Sequence, residues 1–120
     1  MLGQEQIAQI QLFDWIRSRA DLSPFCLHVG NERRCSPQHG RILKRMGIRA
    51  GVSDVFIGIS RGKWHGMWLE LKVGDNKPSK AQQQFMQDMR SQGYHCLWAT
   101  GYPEARLLIE DYLSLEKLYF

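Results

Sequence analysis

Two short stretches, residues 52–59 and 67–73, alternate side chains as half-buried strands do, and each carries charge in its apolar surroundings. On the first, Val55, Ile57 and Ile59 share one face and leave Asp54 on the other. On the second, Met67, Leu69, Leu71 and Val73 make the apolar face, so Trp68, Glu70 and Lys72 share the opposite one. The strand rise puts Glu70 and Lys72 about 7 Å apart. The segment Ser60-Arg61-Gly62-Lys63 suits a hairpin loop, and such a hairpin lets Asp54 approach Glu70.

A carboxylate and an ammonium inside an apolar strand are costly unless something compensates them. Two carboxylates that close repel each other unless a proton or a cation sits between them. Oxygen ligands of this kind suit Mg²⁺ or Mn²⁺, which keep several waters. Lys72 could orient or activate such a water, or stabilise charge growing on a phosphate oxygen. Acid pair, lysine and hard cation together describe phosphodiester hydrolysis. The plain alternative is an ion pair of Glu70 with Lys72 or Lys63 on an exposed sheet face, for Glu-x-Lys is a common tripeptide.

Around these strands the chain reads as one domain, residues 1–120, with no repeat and no linker. Residues 4–19 read as a helix with a broad apolar face, ended by Asp21-Leu22-Ser23-Pro24. Residues 25–29 suit a short strand, and one or two helical turns are expected at 39–46. Ser79 is placed to cap a helix running to about Ser91, with Gly93 as its stop. Residues 94–99 give a third core strand, and Pro103 opens a last helix that turns Ala105, Leu108, Ile109, Tyr112 and Leu113 inward. The predicted class is α/β, a mixed sheet flanked by helices. Glu5 shares a helical face with Ala8, Leu12 and Ile16, which turns it toward the core. There it could serve the helix dipole or complete a metal site.

Charge is spread unevenly. The net charge is +4, and Arg33, Arg34, Arg41, Lys44, Arg45 and Arg49 gather between residues 31 and 50 against Glu32 alone. This segment is built to meet anions, whether as a nucleic-acid contact or as a solvated basic loop. No apolar run nears the roughly 20 residues of a membrane span, and no secretory signal is visible. Cytoplasmic residence is the expectation, in a host cytoplasm if the chain is phage-encoded. Three widely spaced cysteines do not make a disulfide framework. Cys26, His28, Cys35 and His39 could be zinc ligands, but their spacing lacks the usual knuckle, and Cys26 reads better as a core thiol. A DNA-binding module without catalysis would explain the basic segment and leave Glu70 unexplained. Trp15 and Trp98 read as core. Trp64 reads as a packing residue, with base stacking as its functional alternative. Leu118-Tyr119-Phe120 is read as helix docking or a dimer contact.

The motifs Gly51-Val52-Ser53-Asp54-Val55, Gly66-Met67-Trp68-Leu69-Glu70-Leu71-Lys72 and Ser79-Lys80-Ala81-Gln82 occur in that order. Met89, Gly93-Tyr94 and a terminal Glu104-Ala105 helix follow them. With these the sequence resembles the VRR-NUC family of virus-type replication-repair nucleases, within the PD-(D/E)XK superfamily, over nearly its whole length. The resemblance implies a restriction-endonuclease-like core of αβββαβα type and a Mg²⁺- or Mn²⁺-dependent deoxyribonuclease. It implies Asp54, Glu70 and the Leu71 carbonyl as metal ligands, Lys72 as the catalytic lysine, Glu5 on the metal directly or through water, and Gln82 facing the site. Asn31 matches a family position ahead of the basic loop, and with Arg33, Arg34, Arg41, Lys44 and Arg45 forms the candidate DNA-binding set. Ser53 stands where the family usually has proline, a residue that supplies no ligand. Similar stand-alone nucleases look like phage or prophage proteins and form homodimers that cut branched DNA such as Holliday junctions. A nickase or flap nuclease acting as a monomer is the alternative. No membrane partner and no organic cofactor are expected.

Overall fold

A computed structural model describes residues 1–30 and 36–117. Among them four strands, β1 (Cys26–His28), β2 (Val55–Ile57), β3 (Met67–Lys72) and β4 (His95–Thr100), form one sheet in the order β1-β2-β3-β4. The first three are antiparallel neighbours, and β4 runs parallel to β3. A parallel neighbour needs a crossover rather than a tight turn. The helix α3 (Lys80–Ser91) is that crossover. The sheet is therefore mixed, as predicted.

Helices α1 (Gln4–Arg17) and α4 (Gly101–Leu113) cover one face of the sheet. They bury Ala8, Leu12 and Ile16, and Ala105, Ile109 and Tyr112, against Val55, Ile57, Leu69, Leu71 and Ala99. The Tyr112 hydroxyl donates to the Ile59 carbonyl at 2.7 Å, which satisfies a polar group in that core. Helix α3 lies on the other face, where the Trp68 ring meets Phe85 edge-on at 5.0 Å and Phe56 at 4.6 Å. The alternation expected for both central strands thus separates two real environments, an aliphatic one under α1 and α4 and an aromatic, charged one under α3.

Several bounds differ from expectation for local reasons. The first helix stops at Arg17 rather than Arg19, and Arg19 instead makes a two-pronged pair with Asp21. The helix expected at 39–46 is α2 (Pro37–Arg45), begun by Ser36, whose hydroxyl accepts from the His39 amide, with proline at the first helical position. The last helix begins at Gly101, two residues ahead of Pro103. Strand β2 is shorter than 52–59. Gly51 has φ of +85°, and its Cα lies so near α3 that a Cβ would stand 2.5 Å from the Ala81 carbonyl carbon and oxygen. The chain there is shaped to fit under the start of α3, and the ladder begins only beyond it, at Val55. The turn between β2 and β3 is closed by a bridge of Arg61 with Trp64.

Candidate active site

Asp54 immediately precedes β2, next to the Val55–Leu69 pair, and extending that register by one residue sets it opposite Glu70. The Asp54 carboxylate takes up the next strand amide, accepting from Leu71 N at 2.8 Å. Its own carbonyl accepts from the Val29 amide, just past β1, at 2.7 Å and lies 2.9 Å from His28 Nδ1. Asp54 is only 7% exposed and Glu70 is fully buried. Lys72 Nζ stands 3.2 Å from Glu70 Oε2, and its side chain is 14% exposed. The same carboxylate oxygen accepts from Gln82 Nε2 at 2.8 Å.

Gln82 holds two positions at once. Ser79 caps α3 by accepting from the Gln82 amide at 3.2 Å, and Gln82 Oε1 returns the bond to the Ser79 amide at 2.8 Å. The helix cap therefore occupies the carbonyl end of the side chain and turns the NH₂ end toward Glu70. A glutamate would serve this cap equally well, but it would set another anion against Glu70. The amide is the choice that satisfies both.

Glu70, Lys72, Asp54 and Gln82 are thus brought together as the sequence proposed. The exposed ion pair is not what forms. Glu70 and Lys72 meet beneath α3, and Lys63 lies instead over the Trp64 ring at 4.7 Å. Among the described residues no three His, Cys, Asp or Glu side chains gather as a metal cluster. Glu5 continues the stripe of Ala8, Leu12 and Ile16, but it is exposed, because the core ends one turn before the helix does. The inward orientation expected of it is corrected. The side-chain oxygens of Asp54 and Glu70, with the Leu71 carbonyl, are an all-oxygen donor set of the kind that fits a hard cation. In an antiparallel ladder a residue's N–H and C=O face the same neighbour, so the Leu71 carbonyl shares the side on which its amide meets Asp54.

Of the candidate DNA-binding residues, Arg41, Lys44 and Arg45 are exposed on α2, which has no buried residue. Asn31, Arg33 and Arg34 lie outside the described residues, as do Cys35 and Leu118-Tyr119-Phe120. Cys26 is half-buried and donates to the Leu22 carbonyl, and burial pushes its thiol up to about 12. That is a packing role. Trp64 stacks on His95 at 5.0 Å. Trp98 is not core, being 37% exposed.

Sequence reasoning missed three supports. His28, weighed as a zinc ligand, sits against the Asp54 main chain. Arg49, counted with the basic segment, pairs with Asp88 of α3 at 2.6 Å and lies over Phe85. The close approach of Gly51 to Ala81 fixes the segment before Asp54 against the start of α3, one residue from Gln82. A glycine shortly before the motif acid was the only available signal.

No helix among the described residues is long and apolar enough to cross a membrane. No family model matches the sequence, and no curated protein matches it. The chain is similar to a solved structure described as a VRR_NUC domain protein, with a TM-score of 0.82 and 27% identity, over 98% of this chain and 94% of that one.

Proposed function

This chain has the VRR-NUC fold, and on that premise we propose that it is a divalent-metal-dependent DNA endonuclease. The observation that carries the reading is Glu70, fully buried, facing Asp54 and held by Lys72 and Gln82. A buried acid with a lysine is weak as a stabilising device, since well-packed apolar side chains often do as well or better. Its presence here fits chemistry better than architecture.

Asp54, Glu70 and the Leu71 carbonyl would hold Mg²⁺ or Mn²⁺, which when bound supplies Lewis-acid stabilisation of the phosphate. Lys72 would donate to a phosphate oxygen or to the attacking water as negative charge develops. Gln82 keeps the Glu70 carboxylate from rotating. The exposed Arg41, Lys44 and Arg45 would neutralise backbone phosphates, without reading sequence. The finer reading is a structure-selective enzyme of phage or prophage type, a homodimer that makes paired cuts in branched DNA.

Labelled linear, nicked, flapped and four-way DNA, incubated with Mg²⁺ or Mn²⁺, test both levels. Cutting is expected with either metal, strongest on four-way DNA, and lost in excess EDTA. Lys72→Ala should slow it about 100- to 1000-fold. Activity that survives EDTA, or is unchanged in Lys72→Ala, overturns the mechanism. Inertness on every substrate favours the non-catalytic binding module. A monomer in solution that prefers nicked or flapped DNA removes the junction reading and keeps the nuclease.

A further inference from the structure

The four tryptophans differ in what occupies their rings. Trp15 lies under the guanidinium groups of Arg19 and Arg106, at 5.7 and 5.1 Å. Trp64 is stacked on His95, and Trp68 is wedged between Phe56 and Phe85. Trp98 meets no ring or cation among the described residues and remains more than a third exposed. It opens instead into a cleft that it lines with Lys77 and, from α3, Gln83, Met86, Gln87 and Arg90.

The place of this cleft is set by the sheet. In the parallel register Trp98 is the partner of Glu70, so the two side chains rise from adjacent strands on the same face, about 5 Å apart at the backbone. Strand β4 ends the sheet order, which leaves the cleft open on its outer side. Its named lining has two cations and no carboxylate. Arg90 is fixed there, donating one N–H to the Cys96 carbonyl at 2.7 Å, which leaves other guanidinium N–H groups for a ligand. Gln83 and Gln87 stand one helical turn apart on the same cleft. Gln83 donates one amide N–H to the Pro78 carbonyl at 3.1 Å, which leaves its other N–H and its carbonyl oxygen for a ligand.

We propose that this cleft is a subsite for an unpaired nucleotide of the DNA strand held at Glu70, a proposal that rests on the nuclease reading above. The base stacks on Trp98, its phosphates meet Lys77 and Arg90, and the two amides reach its edge. A flat π surface between cations matches a nucleotide in both parts, ring and phosphate. An acidic peptide would use only the cations.

The test is binding by the whole chain in EDTA, where no cutting is required. The probes are oligothymidylate, a blunt duplex, and the same duplex with a short unpaired tail. Oligothymidylate should quench part of the tryptophan fluorescence, and Trp98→Ala should abolish that part. The same change should weaken binding of the tailed duplex about tenfold, within the range that removal of a stacking aromatic gives. Blunt duplex binding should stay within about twofold, and Trp98→Phe should keep most of the affinity for the tail. Equal losses on blunt and tailed DNA, no loss on either, or displacement by an acidic peptide but not by oligothymidylate would overturn the subsite. A chain that binds tails through Trp98 but cuts nothing in Mg²⁺ or Mn²⁺ overturns the nuclease reading and leaves the subsite standing. A chain that cuts while Trp98→Ala behaves as wild type does the reverse.

Discussion

Glu70 is fully buried and held by side chains from two different elements, whereas Arg41, Lys44 and Arg45 ride on a helix with no buried residue. The proposed tasks explain the difference. A group that must hold a cation against a reacting phosphate needs its position fixed, so it is set on a central strand, locked by a helix cap and backed by an aliphatic core. A cation that neutralises a phosphate backbone acts over several ångströms and needs no fixed rotamer. Rigid burial at one place and loose exposure at the other are two answers to two electrostatic problems.

That contrast can be broken most sharply at Glu70. Glu70→Gln should cut strand cleavage by at least about a thousandfold with only a small change in melting temperature, because the lost pairing with Lys72 is offset by relief of the repulsion between Glu70 and Asp54. A large fall in melting temperature would make the residue structural. Gly51→Ala comes next. A Cβ at positive φ, set against the Ala81 carbonyl, should destabilise the chain by about 2–4 kcal/mol in denaturant titration. A neutral result would mean that the start of α3 yields easily and does not hold Gln82 in register.

The exposed region should respond in the opposite sense. Replacing Arg41, Lys44 and Arg45 together by alanine should leave the melting temperature within about a degree or two, since such surface changes are close to neutral. Duplex binding should weaken, with the slope of log affinity against log salt reduced by about 2.7 if each meets one phosphate. An unchanged slope would remove α2 from the DNA contact.

The smallest effect concerns pH. Burial between Trp64 and Tyr112, and secondarily the Arg90 charge, hold the His95 imidazole below its usual range. The unfolded chain then takes the proton first on acidification, so this stability is present above the unfolded value of about 6.5 and is lost as pH falls below it. Melting temperature should decline from about pH 6.5 downward, and His95→Phe should flatten that part of the curve. A decline identical in the variant would assign it to other groups.

What the sequence made legible follows from how local each signal is. Alternation with period two needs only a few residues, and it put Asp54, Glu70 and Lys72 on the right face. The Ser79 helix cap is equally local, whereas the place of Gln82 at the site came from the family resemblance, and its return bond to the Ser79 amide emerged only from the structure. Trp98 was misjudged because β4 carries apolar residues on both faces, so its alternation does not say which side is covered; that depends on how far α3 extends. Glu5 failed for a related reason. A helical wheel reports direction around an axis and is silent on where along the axis the core stops. The pairing of Arg49 with Asp88 joins residues 39 apart, and no local pattern encodes it.

The central claim is that the Asp54–Glu70 pair holds a hard cation and that Lys72 acts beside it. Mn²⁺ binding followed by electron paramagnetic resonance, with cleavage assayed on the same samples, addresses it directly. The account predicts that Glu70→Gln loses bound Mn²⁺ and cleavage together, while Lys72→Ala keeps the metal and loses cleavage. Full Mn²⁺ binding in Glu70→Gln, or cleavage by a chain that holds no metal, would contradict it.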